Sequence, residues 1–194
     1  MAGSLNEGVE RLRRSLSILP QPQVKPPFIV VSRLPGTGKS FLCCKLAERL
    51  SFVLLASDTL RKVLFPCPGY KGSENRRLFS ACHVVIEGLL REGIPVIFDA
   101  TNLLEHNGEY LYRAAERAGA KLILVRIEAA GEVVRQRLLA REEAGTPEHE
   151  SRAGWEVYCK MKPQGERISR SHLVVDTSQD ITAVINKIVR EPNR

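Results

Sequence analysis

The stretch FIVVSRLPGTGKS, residues 28–40, decides the fold. Its first part, Phe28 to Val31, is a short apolar and β-branched run that predicts a buried strand. Gly36 and Gly38 follow, and residues 41–50 then have the composition of a helix. A strand, a glycine-rich turn and a helix in this order build an anion cradle, because backbone amides and the positive end of the helix face one point.

The second half of this stretch carries the residue types of a phosphate-binding loop. The lysine of such a loop, here Lys39, reaches the β- and γ-phosphates of a nucleotide, and the next hydroxyl, here Ser40, ligates Mg²⁺. We therefore expect ATP and Mg²⁺ as cofactors. The residues expected to contact the nucleotide are Gly36, Thr37, Gly38, Lys39, Ser40 and Phe41.

The loop departs from the full pattern G-x-x-x-x-G-K-[ST] at its first position, where Arg33 replaces glycine. Glycine tolerates a positive φ, whereas arginine adopts it only at a cost in free energy. Arg33 therefore either takes an ordinary backbone conformation or perturbs the loop. Because the phosphate-facing half, GTGKS, is intact, we expect nucleotide binding to survive.

Apolar runs and helical patterns alternate from the loop to the end of the chain. Further strands are predicted at 52–56, 95–99, 122–127 and 173–176, and further helices at 75–92, 111–118, 133–143, 155–160 and 181–190. This alternation predicts an α/β fold with a parallel sheet covered by helices on both faces. Ligands of such sheets bind beyond the carboxyl ends of the strands. Polar sequences stand at those ends, at 32–40, 57–61, 99–102 and 176–178.

The N-terminal segment has a different character from the rest of the chain. Apolar residues between positions 4 and 18 recur close to helical spacing, and a run of prolines then ends any helix. We therefore divide the chain into an N-terminal appendage with a proline-rich linker, residues 1–27, and one domain, residues 28–194.

The amino-acid composition limits the classes of binding partner and the cellular compartment that we expect. The chain carries 29 lysines and arginines against 22 aspartates and glutamates, a formal charge of +7 that favours anionic partners such as nucleotides or nucleic acid. A solvated basic surface explains the same excess. Five cysteines without zinc-ligand spacing predict buried, reduced thiols in a cytoplasmic protein. No apolar run reaches the length of about 18 residues that predicts a transmembrane helix.

Four motifs in one order carry a resemblance to a known family. They are PGTGKS at 35–40, SDTLRK at 57–62, IFDATN at 97–102 and RQRLLAR at 135–141. Together they resemble the P-loop kinases related to polynucleotide kinase, with zeta toxins and small-molecule kinases as more distant relatives. The resemblance covers residues 28–180. It implies a P-loop NTPase sandwich of three layers, with a five-stranded sheet in the order 2-3-1-4-5 and a small helical lid.

The same resemblance implies an activity and assigns roles to residues. The activity is transfer of the γ-phosphate of ATP to a hydroxyl group of a nucleic acid, a nucleotide or a small molecule. The acid after the second strand, here Asp58, is the general base in such kinases, as the chemistry requires near an acceptor hydroxyl. Ser57 and Asp58 also suit a helix N-cap. Arg61 binds a phosphate of the acceptor by resemblance, and a surface charge is its alternative role.

Asp99 ends an apolar strand, where P-loop proteins place the acid that holds the Mg²⁺ shell. Thr101 and Asn102 follow in the same turn and could hold the acceptor or simply form the turn. Arg137 and Arg141 share one helix face because they are four residues apart. By resemblance they belong to a lid that neutralises charge on the transferring phosphoryl group. The alternative is a solvated basic helix that is paired with its own glutamates.

Gly108 is a second departure, because related kinases carry an arginine shortly after the DATN turn. Arg33 thus stands where the loop pattern has glycine, and Gly108 stands where related kinases have arginine. One hypothesis is an exchange in which Arg33 returns a guanidinium to the acceptor site; independent drift in a weakening kinase explains the same pair.

Two alternatives to an active kinase stay open. One is a nucleotide-binding regulator that has lost catalysis, which the departures at Arg33 and Gly108 favour. The other is a nucleic-acid-binding module, which would need stacking aromatics such as Trp155 and Tyr158 on a basic groove.

Overall fold

The computed structural model describes residues 4–16, 18–69, 71–101, 105–144, 153–164 and 168–191, and only the backbone of Thr101 and of residues 105–107. Its strands form one parallel sheet in the order β2-β3-β1-β4-β5, which confirms the order implied by the resemblance. The strands are β1 Pro27–Arg33, β2 Val53–Ala56, β3 Val96–Thr101, β4 Lys121–Glu128 and β5 Leu173–Asp176.

Helices cover both faces of this sheet. In the described ranges they are α1 Leu5–Arg14, α2 Lys39–Ala47, α3 Ser57–Leu64, α4 Gly72–Arg91, α5 Glu105–Arg117, α6 Gly131–Ala144, α7 Trp155–Met161 and α8 Thr182–Arg190. The prediction that residues 111–118 lie on a helix is confirmed for 111–117, and α5 begins earlier, at Glu105. The first turns of α5 have the polar sequence EHNGE, so the apolar periodicity that predicted the helix misses them.

The alternation of side chains along β1 divides the core into two layers. Phe28 and Val30 are buried in the layer beneath α1, α4 and α5. Ile29 and Val31 are buried in the opposite layer, beneath α2 and α8. Successive side chains of a strand point to opposite faces, so both faces of this strand are apolar, as a central parallel strand requires. Because β1 and β2 both pair in parallel with β3, the carboxyl ends of these three strands meet at one edge of the sheet.

The N-terminal helix α1 packs on α3 and α4. Its Leu12 is fully buried in the layer beneath α4, and Arg13 forms an ion pair of 2.6 Å with Glu92 at the end of α4. Arg11 donates hydrogen bonds of 2.5 and 3.4 Å to the carbonyl oxygens of Val63 and Leu64, the last turn of α3. Helix α1 thereby supplies donors for carbonyls that a helix end leaves without intrahelical partners.

Two observations bear on the environment of the chain. No described helix combines the length and the apolar character needed to cross a membrane. Cys43 and Cys82 are buried, and burial raises the pKa of the Cys82 thiol to about 12. The expectation that all five thiols are buried is wrong, because Cys44, Cys67 and Cys159 are exposed.

Candidate active site

The phosphate loop connects β1 to α2 and depends on two glycines. Gly36 and Gly38 have φ values of 74° and 91°, a region that side chains with a Cβ rarely adopt. A Cβ on Gly36 would lie 2.7 Å from Cγ of Leu138, and a Cβ on Gly38 would lie 3.1 Å from Oγ1 of Thr177. The two glycines therefore allow the backbone to turn, and they also allow helix α6 and the β5–α8 connection to pack closely against the loop.

Arg33 has an ordinary backbone conformation. It is the last residue of β1 and lies in register with Thr101 of the neighbouring strand β3. Because the extended strand continues through this position, the absence of glycine imposes no left-handed backbone. The structure therefore agrees with the first alternative for Arg33, an ordinary backbone conformation, rather than with a perturbed loop.

Lys39 is the first residue of α2, and its side chain curls back into the loop. Its ammonium donates a hydrogen bond of 2.9 Å to the carbonyl oxygen of Leu34, and the residue is buried. Burial lowers the pKa of Lys39, while the carboxylates of Asp99 and Asp58 oppose that shift. The lysine charge is therefore buried and interacts with two carboxylates.

Ser40 and Asp99 form a direct contact between α2 and β3. The Ser40 hydroxyl donates a hydrogen bond of 2.9 Å to Oδ2 of Asp99, which is 5% exposed. Asp99 is in register with Val31 of β1 and Ala56 of β2, so it lies where three strands end. A hydroxyl and a carboxylate beside a phosphate loop are oxygen ligands of the type that Mg²⁺ takes.

Asp58 lies in the first turn of α3, directly after β2. The N-cap position belongs to Ala56, without a side-chain capping bond, so the alternative role of Ser57 or Asp58 as the N-cap is wrong. A carboxylate in the first turn is still favoured by the helix dipole. The charge of Asp58 opposes the lowering of the pKa of Lys39 and of Arg141 by burial, and all three side chains line one cavity.

The two lid arginines are held by hydrogen bonds in the described part of α6. Arg137 donates to Oγ1 and to the carbonyl oxygen of Thr177, at 2.9 and 2.7 Å. Arg141 donates to the carbonyl oxygen of Ala153, and burial lowers its pKa although Asp58 opposes that shift. The alternative of a solvated basic helix would pair these arginines with the glutamates of α6, whereas Arg137 donates to Thr177 and Arg141 donates to Ala153.

Helix α6 rests on the phosphate loop through a small apolar cluster. Val134 and Leu138 of α6 pack there with Leu34 of the loop and Tyr158 of α7. Trp155 stacks on Tyr158 with ring centroids 5.1 Å apart, and Tyr158 is 5% exposed. These two rings are therefore part of the lid packing rather than a platform that faces solvent. The predicted hinge at residues 145–147 lies outside the described residues.

One cavity of about 1220 Å³ joins most of the predicted site residues. Those that line it are Gly36, Gly38, Lys39, Ser40, Phe41, Asp58, Asp99, Arg137 and Arg141. Thr37 is buried behind the loop, where its hydroxyl donates a hydrogen bond of 2.8 Å to the Leu34 carbonyl oxygen. Asn102 and the side chain of Thr101 lie outside the described part of the chain.

Arg61, expected by resemblance to bind a phosphate of the acceptor, is absent from the described lining of the cavity. It faces α4, where it donates a hydrogen bond of 2.6 Å to Oδ1 of Asn75 and lies 3.9 Å from Glu74. The alternative of a surface charge is wrong, because the side chain is buried.

Thr177 is a site residue that the sequence analysis did not select. It lines the cavity between the loop and the lid and contacts both. The only signal was the polar sequence at 176–178 after the last strand, which located the turn without distinguishing its residues.

The fold is shared with solved structures, two of which contain a bound nucleotide or nucleotide analogue. Chaetomium thermophilum Kti12 in complex with ADP-AlF3 has 17% identity and a TM-score of 0.67, covering 85% of this chain and 96% of that one. The Mycobacterium tuberculosis APS kinase CysC in complex with AMPPNP and APS has 19% identity and a TM-score of 0.60, covering 87% and 97%. A gluconokinase from Sinorhizobium meliloti 1021 has 21% identity and a TM-score of 0.58, covering 86% and 89%.

These structural similarities show a common fold, that of P-loop NTPases. No curated protein matched the sequence. Residues 29–167 match the sequence model of the AAA domain family, a range that runs from β1 to the end of the lid region. The chain therefore belongs to the AAA domain family.

Proposed function

We propose that the protein is an ATP-dependent kinase that transfers the γ-phosphate to a hydroxyl acceptor. The observation that carries the proposal is the hydrogen bond between Ser40 and Asp99 beside Lys39. It supports a nucleotide site with a place for a metal ion, and Asp58 lines the same cavity. Within P-loop kinases, the polynucleotide-kinase-like grouping remains part of this proposal.

Mg²⁺ fits the chemistry of the residues that would hold it. The Ser40 hydroxyl and the Asp99 carboxylate supply oxygen ligands, and sites of this kind leave the remaining positions to water and substrate phosphates. When bound, the ion neutralises negative charge that develops on the phosphates. Lys39 and the loop amides would hold the same phosphates from the other side.

Asp58 is the proposed general base. Its carboxylate would accept the proton of the acceptor hydroxyl while the acceptor oxygen bonds to the γ-phosphorus and the bond to the ADP oxygen breaks. Arg141 is one proposed clamp, because its charge and that of Asp58 interact and both side chains line the cavity. Arg137 approaches from the Thr177 side, so the two guanidinium groups would stabilise charge on the transferring group.

The described lining of the cavity favours an uncharged hydroxyl compound over a nucleic acid. Its basic side chains are Lys39, Arg137 and Arg141, which all belong to the loop and the lid. The lining near Asp58 consists of Ser57, Thr59 and apolar side chains of α3, and Arg61 is turned towards α4. Solved structures with this fold include a sugar kinase and a gluconokinase. We therefore propose a small polyhydroxy acceptor first and a nucleic-acid 5′-hydroxyl second.

The test is transfer of labelled γ-phosphate from ATP to a panel of sugars, polyols, nucleosides and oligonucleotides with a 5′-hydroxyl. We expect transfer to a small polyhydroxy compound, dependent on Mg²⁺ and lost in Asp99→Asn. Preferential labelling of the oligonucleotides would overturn the proposed acceptor class.

The cytoplasm is the proposed compartment, because free cysteines suit a reducing environment.

A nucleotide-binding regulator without catalysis is the second candidate. Arg33 in place of the loop glycine and Gly108 in place of an arginine are the observations that favour it. This candidate predicts ATP binding without consumption of ATP, with or without any acceptor in the panel. Turnover of ATP that an acceptor stimulates, and that Lys39→Ala abolishes, would exclude it.

A further inference from the structure

Thr177 is buried at the junction of three elements, directly after β5. Its amide donates a hydrogen bond of 2.9 Å to the carbonyl oxygen of Glu128 at the end of β4. Its side chain lies against Gly38 of the phosphate loop, where a Cβ would approach Oγ1 to 3.1 Å. The residue is thus anchored to the sheet by its backbone and directs its side chain at the loop.

The Thr177 hydroxyl connects the loop to the lid helix. It donates a hydrogen bond of 2.6 Å to the carbonyl oxygen of Thr37 and accepts one of 2.9 Å from Nη1 of Arg137. A hydroxyl group has one donor and two acceptor positions, so both bonds can exist at once. The Thr177 carbonyl oxygen accepts a further hydrogen bond of 2.7 Å from Nη2 of the same arginine.

This pattern restricts the guanidinium of Arg137 more than a single contact would. Two parallel hydrogen bonds to one residue fix the plane of the guanidinium as well as its position. Because the same hydroxyl is bonded to the loop backbone, the arginine is oriented relative to the place where phosphates bind. Orientation of this kind matters when charge develops only in the transition state, since a preoriented donor needs no rearrangement.

We propose that Thr177 is a positioning residue that couples the lid arginine Arg137 to the phosphate loop. The inference rests on the proposed kinase function for its catalytic consequence. Thr177 acts through Arg137 and Thr37 and has no part in the chemical step. Its hydroxyl, rather than its shape, is the feature that couples the two elements.

The experiment compares Thr177→Val, which keeps the shape without the hydroxyl, with Thr177→Ser, which keeps the hydroxyl. We expect kcat to fall about 10-fold or more in the valine variant, the scale of a hydrogen bond to a charged group, with KM for the acceptor unchanged. The serine variant should recover most of kcat. Thr182→Val is the matched control, because the Thr182 hydroxyl bonds to Asp180 outside the cavity lining. Equal losses in the valine and serine variants, or a wild-type kcat in the valine variant, would overturn the inference.

A double-mutant cycle with Arg137→Met separates positioning from general loss of stability. If Thr177 acts through Arg137, the double variant should be no slower than Arg137→Met alone, because coupled residues are not additive. Multiplied losses would overturn the coupling. A protein that binds ATP but transfers no phosphate would contradict the proposed function instead. In that case ATP affinity replaces kcat as the readout of the same cycle, and additive losses of affinity would still overturn the coupling.

Discussion

The Ser40 hydroxyl donates a hydrogen bond of 2.9 Å to Oδ2 of Asp99, and this bond joins the start of α2 to the end region of β3. The chain separates these residues by 59 positions, but the parallel sheet brings them to one edge, because β1 and β3 are neighbours. Lys39 stands beside them with a charge that faces Asp99 and Asp58.

Replacing Lys39 with methionine should abolish nucleotide-dependent activity and at the same time stabilise the protein at neutral pH. The pKa of Lys39 is lowered by burial, so its charged form is less favourable in the folded than in the unfolded chain. Below that lowered pKa the wild type therefore carries a cost that methionine lacks. As the pH rises through the lowered pKa towards the ordinary value of 10.5, the folded wild type loses this proton and the cost disappears.

Denaturant unfolding of both proteins between neutral pH and the ordinary lysine pKa measures this difference. We expect the stability advantage of Lys39→Met to be largest at neutral pH and to shrink as the pH rises. Titrating groups that do not interact with Lys39 are common to both proteins and cancel in the comparison. A methionine variant that is less stable at neutral pH, or a difference that does not depend on pH, would contradict the burial argument.

Asp58→Asn should separate binding from transfer. The amide keeps the size of the carboxylate but cannot accept a proton, so transfer should fall about 100-fold or more, the usual scale of general base catalysis. ATP affinity should change little, because the loop and Lys39 hold the phosphates. Asp180→Asn is the control, since Asp180 bonds to Thr182 and lies outside the described lining of the cavity. Unchanged transfer in Asp58→Asn would remove Asp58 from the mechanism.

The sheet and the loop were predictable because local patterns determine them. Strands and helices alternate in the sequence, and the phosphate loop lies within one stretch between Val31 and Ser40. Thr177 was not predictable in this way, because its partners Thr37 and Arg137 are 140 and 40 residues away in sequence. A single polar residue in a turn carries no local sign of contacts at that distance.

The position of Arg61 shows a second limit of local reasoning. Spacing placed Arg61 one helical turn after Asp58, which suggested a shared face towards the acceptor. The packing of α3 against α4 instead buries Arg61 beside Asn75 and Glu74. Spacing gives the separation of two side chains along a helix, but the tertiary packing decides which of them faces the cavity.

Helix α1 should contribute to the stability of the domain although it precedes the family match. Leu12 is fully buried beneath α4, and truncation of a buried leucine costs about 2–5 kcal/mol. Leu12→Ala should therefore lower the free energy of unfolding by an amount in that range. Leu5→Ala is the matched control, because Leu5 is 49% exposed and should cost far less. Denaturant unfolding measures both; equal, small effects would mean that α1 is dispensable to the core.

Arg33 and Gly108 provide the last prediction, which tests the proposed exchange of a guanidinium. Arg33 ends β1 in register with Thr101 of β3, and Gly108 lies in α5, which follows β3 along the chain. If Arg33 replaces the missing arginine, Arg33→Gly should lower turnover although it restores the ordinary loop sequence. If the two departures arose by drift, the same variant should leave turnover unchanged, because Arg33 has an extended backbone and glycine would relieve no strain there.

The reciprocal variant needs a control for packing. A Cβ on Gly108 would lie 2.9 Å from the hydroxyl oxygen of Tyr112, whose side chain is buried, so any residue larger than glycine must displace that ring. Gly108→Ala measures this cost alone. Relative to it, Arg33→Gly combined with Gly108→Arg should recover turnover if the guanidinium returns to the same space, a non-additive result that coupled neighbours produce. Turnover and ATP affinity of the four variants decide the matter: losses that simply multiply across Arg33→Gly and Gly108→Arg would show that the two positions act independently.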